Sequence, residues 1–342
     1  MRLSSLDAAL DARSAGGGSP HRHGTTRALP LRVGTRGSPL ALWQTRHFLS
    51  LITRVCPLLR EVNAFEEHQI ATSGDKIQDK RLADIGGKGL FAKEIHEALA
   101  DGRIDFAVHS LKDLETELPP GIALACTLRR EDPRDAIVLG PECNAPHAED
   151  PFACLPHGAL VGTASVRRQS QLLHARPDLQ VEMIRGNVGS RLAKVRAEGG
   201  PQASLLALAG LRRLELAHEA GSVLDPEIMV PATCQGIVGV TVRTDDVELR
   251  ELLSIIEDPE AAIASRAERA LLAELDGSCR TPIGGHARLQ ADGSVELTGL
   301  VARADGSFLL KRRLCGAKAD AARLGQELGA SLRADSPADV FG

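Results

Sequence analysis

Apolar residues follow two rhythms along this chain. Short apolar runs bounded by turn residues read as strands, and longer stretches with apolar positions three and four apart read as helices. Leu31 to Thr35 predicts a strand. Arg36-Gly37 turns it, and Ser38-Pro39 opens a helix as N-cap and first helical residue. Val62 to Ala71 predicts a second strand, ending at Thr72-Ser73-Gly74-Asp75-Lys76. The loop Gly86-Gly87-Lys88-Gly89 feeds a helix in which Phe91, Ile95, Ala98 and Leu99 share one face, and Gly102 ends it. Ile104 to Val108 is a strand running into His109-Ser110-Leu111-Lys112-Asp113-Leu114, and Ile122 to Cys126 is another after Pro119-Pro120-Gly121.

Arg129 to Asp135 is charged and turn-like, the composition of a crossing between domains. A second series follows. Leu160 to Thr163 is a strand, and Ser165 caps a helix beginning Val166-Arg167-Arg168. Val181 to Ile184 leads to Arg185-Gly186-Asn187 and a helix, and Leu205 to Leu208 leads to Ala209-Gly210-Leu211-Arg212-Arg213. Strands alternating with helices imply parallel sheets, one set per domain, so the class is α/β. After about residue 286 the rhythm changes. Val295–Leu300 and Phe308–Arg313 read as antiparallel strands and Asp320–Leu332 as a helix, a small α+β third domain. Before it, Ser265 and Glu268 have capping-box spacing, and Ala267, Ala270, Leu271 and Leu275 keep an apolar helical face. Gly277 stops that helix and Pro282 prevents a restart, leaving Cys279 on a small-residue turn beside Arg280, where a cation favours the thiolate.

Composition removes several function classes. The chain has 342 residues, 25% charged and 43% hydrophobic, with a net charge of −4, so no global charge draws it to nucleic acid or a membrane surface. Aromatics are 2%, with one Trp and no Tyr, which disfavours stacking on single-stranded nucleic acid. The seven cysteines are scattered with no C-x-x-C pair, which opposes a disulfide framework or structural zinc and favours a reducing, cytoplasmic setting. No apolar run reaches the ~20 residues of a membrane helix. Residues 1–30 form a separate extension with Gly16-Gly17-Gly18-Ser19-Pro20 at its centre. A flexible tail is favoured there over an organelle transit peptide.

Arg36, Arg167, Arg168, Arg185 and Arg213 each fall just past a predicted strand, at or near a helix start. A helix N-terminus already carries about half a positive charge, so each cation costs about 0.3–1 kcal/mol there. Five in such places form a pattern. In open α/β sheets ligands bind beyond the carboxyl ends of the strands. Helix N-termini and arginine forks there recognise carboxylates or phosphates. Asp113 lies at the same level, and a carboxylate among arginines stays ionised. It can stabilise a developing cation or hold an ammonium.

The ordered set of motifs closely resembles the porphobilinogen deaminase (hydroxymethylbilane synthase) family. The matching runs are Arg32 to Ala41, Gly86 to Phe91, His109 to Asp113, Arg130 to Ala136, Gly162 to Gln169, Arg185 to Gly189, the positions Ala207, Gly210, Leu211 and Arg213, Gln235-Gly236 and the Cys279 turn. The resemblance implies a transferase that joins four porphobilinogen molecules head to tail into hydroxymethylbilane, releasing ammonia each time, in tetrapyrrole biosynthesis. It implies a dipyrromethane cofactor held by a thioether to Cys279. By family match, Asp113 is catalytic. Cys279, Lys112, Asp113, Ser165, Arg167, Arg168, Arg185 and Gly186 bind the cofactor, while Arg36, Ser38, Arg191 and Arg213 bind substrate, and no metal is expected. The implied fold is two lobes like those of periplasmic binding proteins, residues 31–130 with 237–255 and residues 131–236. A C-terminal domain, 259–342, carries the cofactor cysteine, and the protein is expected to be a monomer with no nucleic-acid or membrane partner. Three positions depart from the family pattern: Ala164 for a common Ser, Cys234 for a common Gly, and Glu115 for a common Pro. Cys234 raises the question of a second reactive thiol. The rival readings are a non-catalytic anion-binding protein of the same build and a thiol enzyme pairing Cys279 with His109 or His286. A nicotinamide dehydrogenase is a weaker third, because the glycine loop lacks G-x-G-x-x-G spacing.

Overall fold

The computed structural model describes residues 28–77, 89–145, 149–275 and 281–341. Gly86-Gly87-Lys88 and Cys279 with its turn lie outside them.

Three sheets organise the described chain. The first has the order β2-β1-β3-β10-β4 and the second β7-β6-β8-β5-β9. In the first, β1 (Leu31–Thr35), β2 (Phe65–Gln69), β3 (Phe106–Ser110) and β4 (Ile122–Thr127) run in one direction, and β10 (Val238–Arg243) lies antiparallel between β3 and β4. In the second, β6 (Leu160–Gly162), β7 (Gln180–Glu182), β8 (Ala203–Ala207) and β9 (Ser222–Leu224) run together, and β5 (Asp135–Leu139) is antiparallel between β8 and β9. The sheets are therefore mixed, where the alternation of strands and helices predicted parallel ones. The exceptions are β5 and β10, the strands entered by crossing from the other sheet. The parallel strands end toward the crossings, so a strand that starts there must run the opposite way.

The charged crossing also ends earlier than its composition suggests. Asp135 is fully buried and begins β5, followed by the apolar Ala136, Ile137 and Val138. Opposite it runs the second crossing, joined by hydrogen bonds from Glu131 N to Gly236 O (3.0 Å) and from Arg130 Nε to Gln235 O (2.9 Å). Gly236 has φ +90°, and a Cβ there would meet Glu131 O at 2.2 Å, so the two crossing segments approach too closely for any other residue.

The third sheet is an antiparallel meander, β11 (Ile283–Leu289), β12 (Ser294–Ala302) and β13 (Leu309–Ala317), one strand more than the pattern predicted. Helices Pro259–Glu274 and Ala321–Ala334 cover it through Ala267, Leu271, Leu328 and Leu332. The first of these helices starts with Asp258 as N-cap and Pro259 behind it, so Ser265 and Glu268 sit mid-helix and form no capping box. Glu268 is instead fully buried and joins all three parts. Its carboxylate accepts from Arg130 Nη1 (2.5 Å) in the first crossing, from Cys234 N (2.5 Å) in the second, and from Ala287 N (2.6 Å) in β11.

Candidate functional site

The carboxyl ends of both mixed sheets gather the predicted polar residues. β3 ends in a 3-10 turn, Leu111–Asp113, whose Leu111 is buried and fixes the two polar residues that follow. Asp113 keeps about 30% of its side chain exposed and stands 3.6 Å from Arg36 Nη1. Arg36 follows β1. Its Nε and Nη2 donate to the two carboxylate oxygens of Asp75 at 3.1 and 2.5 Å, and its guanidinium lies 4.2 Å over the Phe91 ring. Ser38 caps the helix Pro39–Val55 by accepting from Ala41 N.

From the second sheet, Ser165 caps Val166–Ala175, and the first turn of that helix turns Arg167 and Arg168 inward. Both are buried against Asp135. Arg167 Nη1 lies 2.8 Å from Oδ2, and Arg168 Nη2 donates to Oδ1 at 2.8 Å. Two guanidinium neighbours outweigh burial and hold the Asp135 carboxyl far below the usual range. Arg185 is buried too and reaches across to donate to Gly74 O of the first lobe at 3.0 Å. Gly186 takes φ +116°, with Ser190 Oγ 2.2 Å from where a Cβ would stand, and its carbonyl accepts from Arg191 Nε. Burial, with Arg168 and Arg185 adding repulsion against the pull of Asp113, brings Arg191 down to about 10. Burial, reinforced by Arg168 and Arg167 and opposed by Asp113 and Asp135, brings Lys112 down to about 8. Arg213 stands to one side, donating to Gly236 O with its guanidinium 5.8 Å over Trp43.

Lys112, Asp113, Arg36, Arg167, Arg168, Arg185 and Arg191 thus form one charged neighbourhood between the two sheets. Ser38 and Ser165 sit at its edge with their oxygens engaged as caps. Three residues that pair with this cluster, Asp135, Gln235 and Asp75, were not legible from the motifs as parts of a site. The two histidines offered as bases for a thiol enzyme are both buried. His109 is on β3 bonded to Thr241 Oγ1, and His286 is on β11; burial pushes each down to about 3. Burial thus disfavours the protonated form that a base in such an enzyme must reach.

Two of the departures find a physical account. Cys234 adopts φ +60°, left-handed backbone that costs a β-carbon residue about 1–2 kcal/mol and that glycine adopts freely. Its thiol is buried and pushed up to about 12, chiefly by burial and secondarily by Glu268. It is therefore not a second reactive thiol. Iodoacetamide at pH 8 should modify the exposed Cys315 in the folded protein and leave Cys234 unmodified, read by peptide mass mapping. Labelling of Cys234 at the rate of Cys315 would contradict this burial. Glu115 tucks its carboxylate against Gly89 and within 4.0 Å of His96 Nδ1, while Arg269 Nη2 clamps its backbone carbonyl. Nothing in the structure sets Ala164 apart.

This geometry defines an α/β protein of two mixed sheets whose carboxyl ends gather a cluster of arginines and a lysine beside a partly open carboxylate. A family model described as "Porphobilinogen deaminase, dipyromethane cofactor binding domain" matches residues 31–251, and one described as "Porphobilinogen deaminase, C-terminal domain" matches residues 262–334. The chain belongs to the porphobilinogen deaminase family. It is 48% identical over 307 residues to porphobilinogen deaminase of Sorangium cellulosum, covering 89% of this chain and 98% of that one. It is 47% identical over 301 residues to the enzyme of Nitrobacter winogradskyi, covering 88% and 92%. With the chloroplastic enzyme of Oryza sativa it shares 46% over 286 residues, covering 84% and 78%. Among solved structures, the periplasmic VFT2 domain of Bordetella pertussis BvgS aligns with a TM-score of 0.37 at 17% identity, over 69% of this chain and 91% of that one.

Proposed function

We propose that this chain is a porphobilinogen deaminase that joins four porphobilinogen molecules into hydroxymethylbilane with loss of ammonia, working as a cytoplasmic monomer. The observation that carries the chemistry is the placing of Asp113: a partly exposed carboxylate, 3.6 Å from Arg36, on the same turn as Lys112. Asp135 is fully buried between two arginines and is committed to structure. Asp113 can still turn toward a ligand.

Each porphobilinogen carries an acetate and a propionate, so a growing chain gathers carboxylates. The donor set suits them. Arg36, Arg167, Arg168, Arg185, Arg191 and Arg213 offer planar forks, and Lys112 offers a point charge. Dipyrromethane, which carries the same side chains, would be held by Lys112, Ser165, Arg167, Arg168, Arg185 and Gly186 and tethered through Cys279. When bound it supplies the pyrrole carbon to which the first unit is added. Arg36, Ser38, Arg191 and Arg213 bind the incoming carboxylates and orient the aminomethyl group. Ammonia leaves with the electron pair of the C–N bond, and positive charge spreads over the substrate's methylene and ring. Asp113 turns toward that charge and opposes it, accepting a hydrogen bond from the ring N–H. Such preorganised electrostatic stabilisation contributes about 2.7–4 kcal/mol in comparable sites.

Incubation with porphobilinogen tests this reading. One hydroxymethylbilane and four ammonia should appear for every four substrates consumed; no consumption would overturn it. The pH dependence follows from Lys112. Burial disfavours its ammonium, so the proton leaves near pH 8 and the cluster loses one positive charge above that. The free enzyme should bind carboxylates best below pH 8. Accordingly kcat/KM should fall as pH rises from 7 to 9, and Lys112→Arg should flatten that fall. A kcat/KM that holds level in the parent across this range would count against Lys112 as a carboxylate contact.

A further inference from the structure

Gln235 lies in the second crossing, between β9 and β10, and is buried. Its side chain touches both lobes. Nε2 donates to Asp135 Oδ1 at 2.8 Å and to Pro133 O at 2.7 Å, both at the entrance to the second sheet. Oε1 accepts from Lys112 Nζ at 3.3 Å, on the turn that ends β3 of the first sheet. Only one orientation of the amide satisfies this set, because two oxygens face one end and an ammonium faces the other. A glutamate in its place would set a carboxylate oxygen against Asp135 Oδ1 and a carbonyl. The site asks for an amide. Asp135 in turn holds Arg167 and Arg168, and Lys112 is next to Asp113. A continuous line of polar contacts, buried at Asp135 and Gln235 and half-buried at Lys112, therefore runs from the arginine pair of one lobe to the catalytic turn of the other, and Gln235 is its central link.

The backbone around Gln235 is pinned as well. Its carbonyl accepts from Arg130 Nε, and the carbonyl of Gly236 accepts from Glu131 N and Arg213 Nη2. The link is thus anchored to both crossing segments, about which any movement of one lobe against the other must turn. We infer that Gln235 is a positioning residue for the reaction: it sets the Lys112–Asp113 turn in register with the Asp135-held arginines as the lobes move. The inference rests on the functional reading above and adds a role to a residue that touches no reacting atom.

The test compares Gln235→Leu and Gln235→Glu with the parent, all as holoenzyme, by steady-state kinetics from pH 6 to 9.5, thermal melting and intact mass. Loss of the link misaligns Asp113 with ligand bound elsewhere. In both variants kcat should fall tenfold or more while KM stays within about twofold, with the cofactor still attached. In Gln235→Leu the Lys112 ammonium also loses an acceptor, so the alkaline limb of kcat/KM should move to lower pH. A purely structural role would lower the melting temperature and leave that limb in place. Parent-like kcat per folded molecule in either variant, or an unmoved limb in Gln235→Leu, would overturn the inference. Should either variant fail to fold, Gln235→Met, uncharged and close to glutamine in shape, is measured in the same way and its kcat decides. An inactive parent would instead be a failure of the functional reading.

Discussion

Asp113→Asn should lower kcat about a thousandfold while leaving the fold and the cofactor load in place. The substitution keeps shape and removes charge. Asp113 is partly exposed and its pairing with Arg36 is long, 3.6 Å, so the stability at stake is that of a surface-like pair, about 0–1 kcal/mol. Arg36 also keeps its closer partner, Asp75. What is lost is stabilisation of positive charge as ammonia leaves, and removal of one preorganised group aimed at developing charge costs about 10²–10³ in kcat. Any part Asp113 takes in moving a proton adds to that loss. Rapid-quench measurement of the first unit added, with intact mass to confirm the cofactor, separates chemistry from loading. Turnover within a few-fold of the parent would remove Asp113 from its role.

Arg167→Leu should stop chain assembly earlier, and it should also destabilise the second lobe. Arg167 is buried, with Nη1 between Asp135 Oδ2 and Val230 O. Leucine strands that carboxylate oxygen. Breaking a buried pair outright costs about 3–5 kcal/mol. Here Arg168 and Gln235 still satisfy Oδ1, so the cost should be nearer that of one unmet buried polar atom, about 1–3 kcal/mol. The fold should survive with a lowered melting temperature. On the proposed reading the variant loses a fork for ligand carboxylates, and the freed negative charge of Asp135 should repel them. The purified variant should carry no dipyrromethane, or should hold it and stall after the first additions. Normal elongation would mean that the anion cleft is misplaced.

How much of this was legible in the sequence follows from the range of each interaction. Ser38-Pro39 and Ser165-Val166 announce helix starts because capping acts within one turn, and the arginines stood out because they sit where a helix disfavours them. Asp135 was not legible. It closes a run of charged residues that reads as a solvated turn, and the arginines that explain its burial are 32 and 33 positions away. Gln235 was visible as part of a motif, but its partners lie 100 and 123 positions distant. Ser265 and Glu268 show the opposite error. A spacing of three also occurs inside helices, and the true start, Asp258-Pro259, lies about two turns earlier. The antiparallel β5 and β10 could not be read from alternation, since their direction is set by which sheet the chain arrives from.

The family match shows a cofactor-binding domain, and the remaining claim is that the cofactor is carried on Cys279. Intact mass of the purified protein, after incubation with porphobilinogen to load any empty molecules, tests it most directly. The account requires a mass above that of the polypeptide by two linked pyrrole units, carried on the peptide containing Cys279, and a bare polypeptide mass for Cys279→Ser. A loaded Cys279→Ser, or a parent that stays at bare mass after incubation, would contradict it.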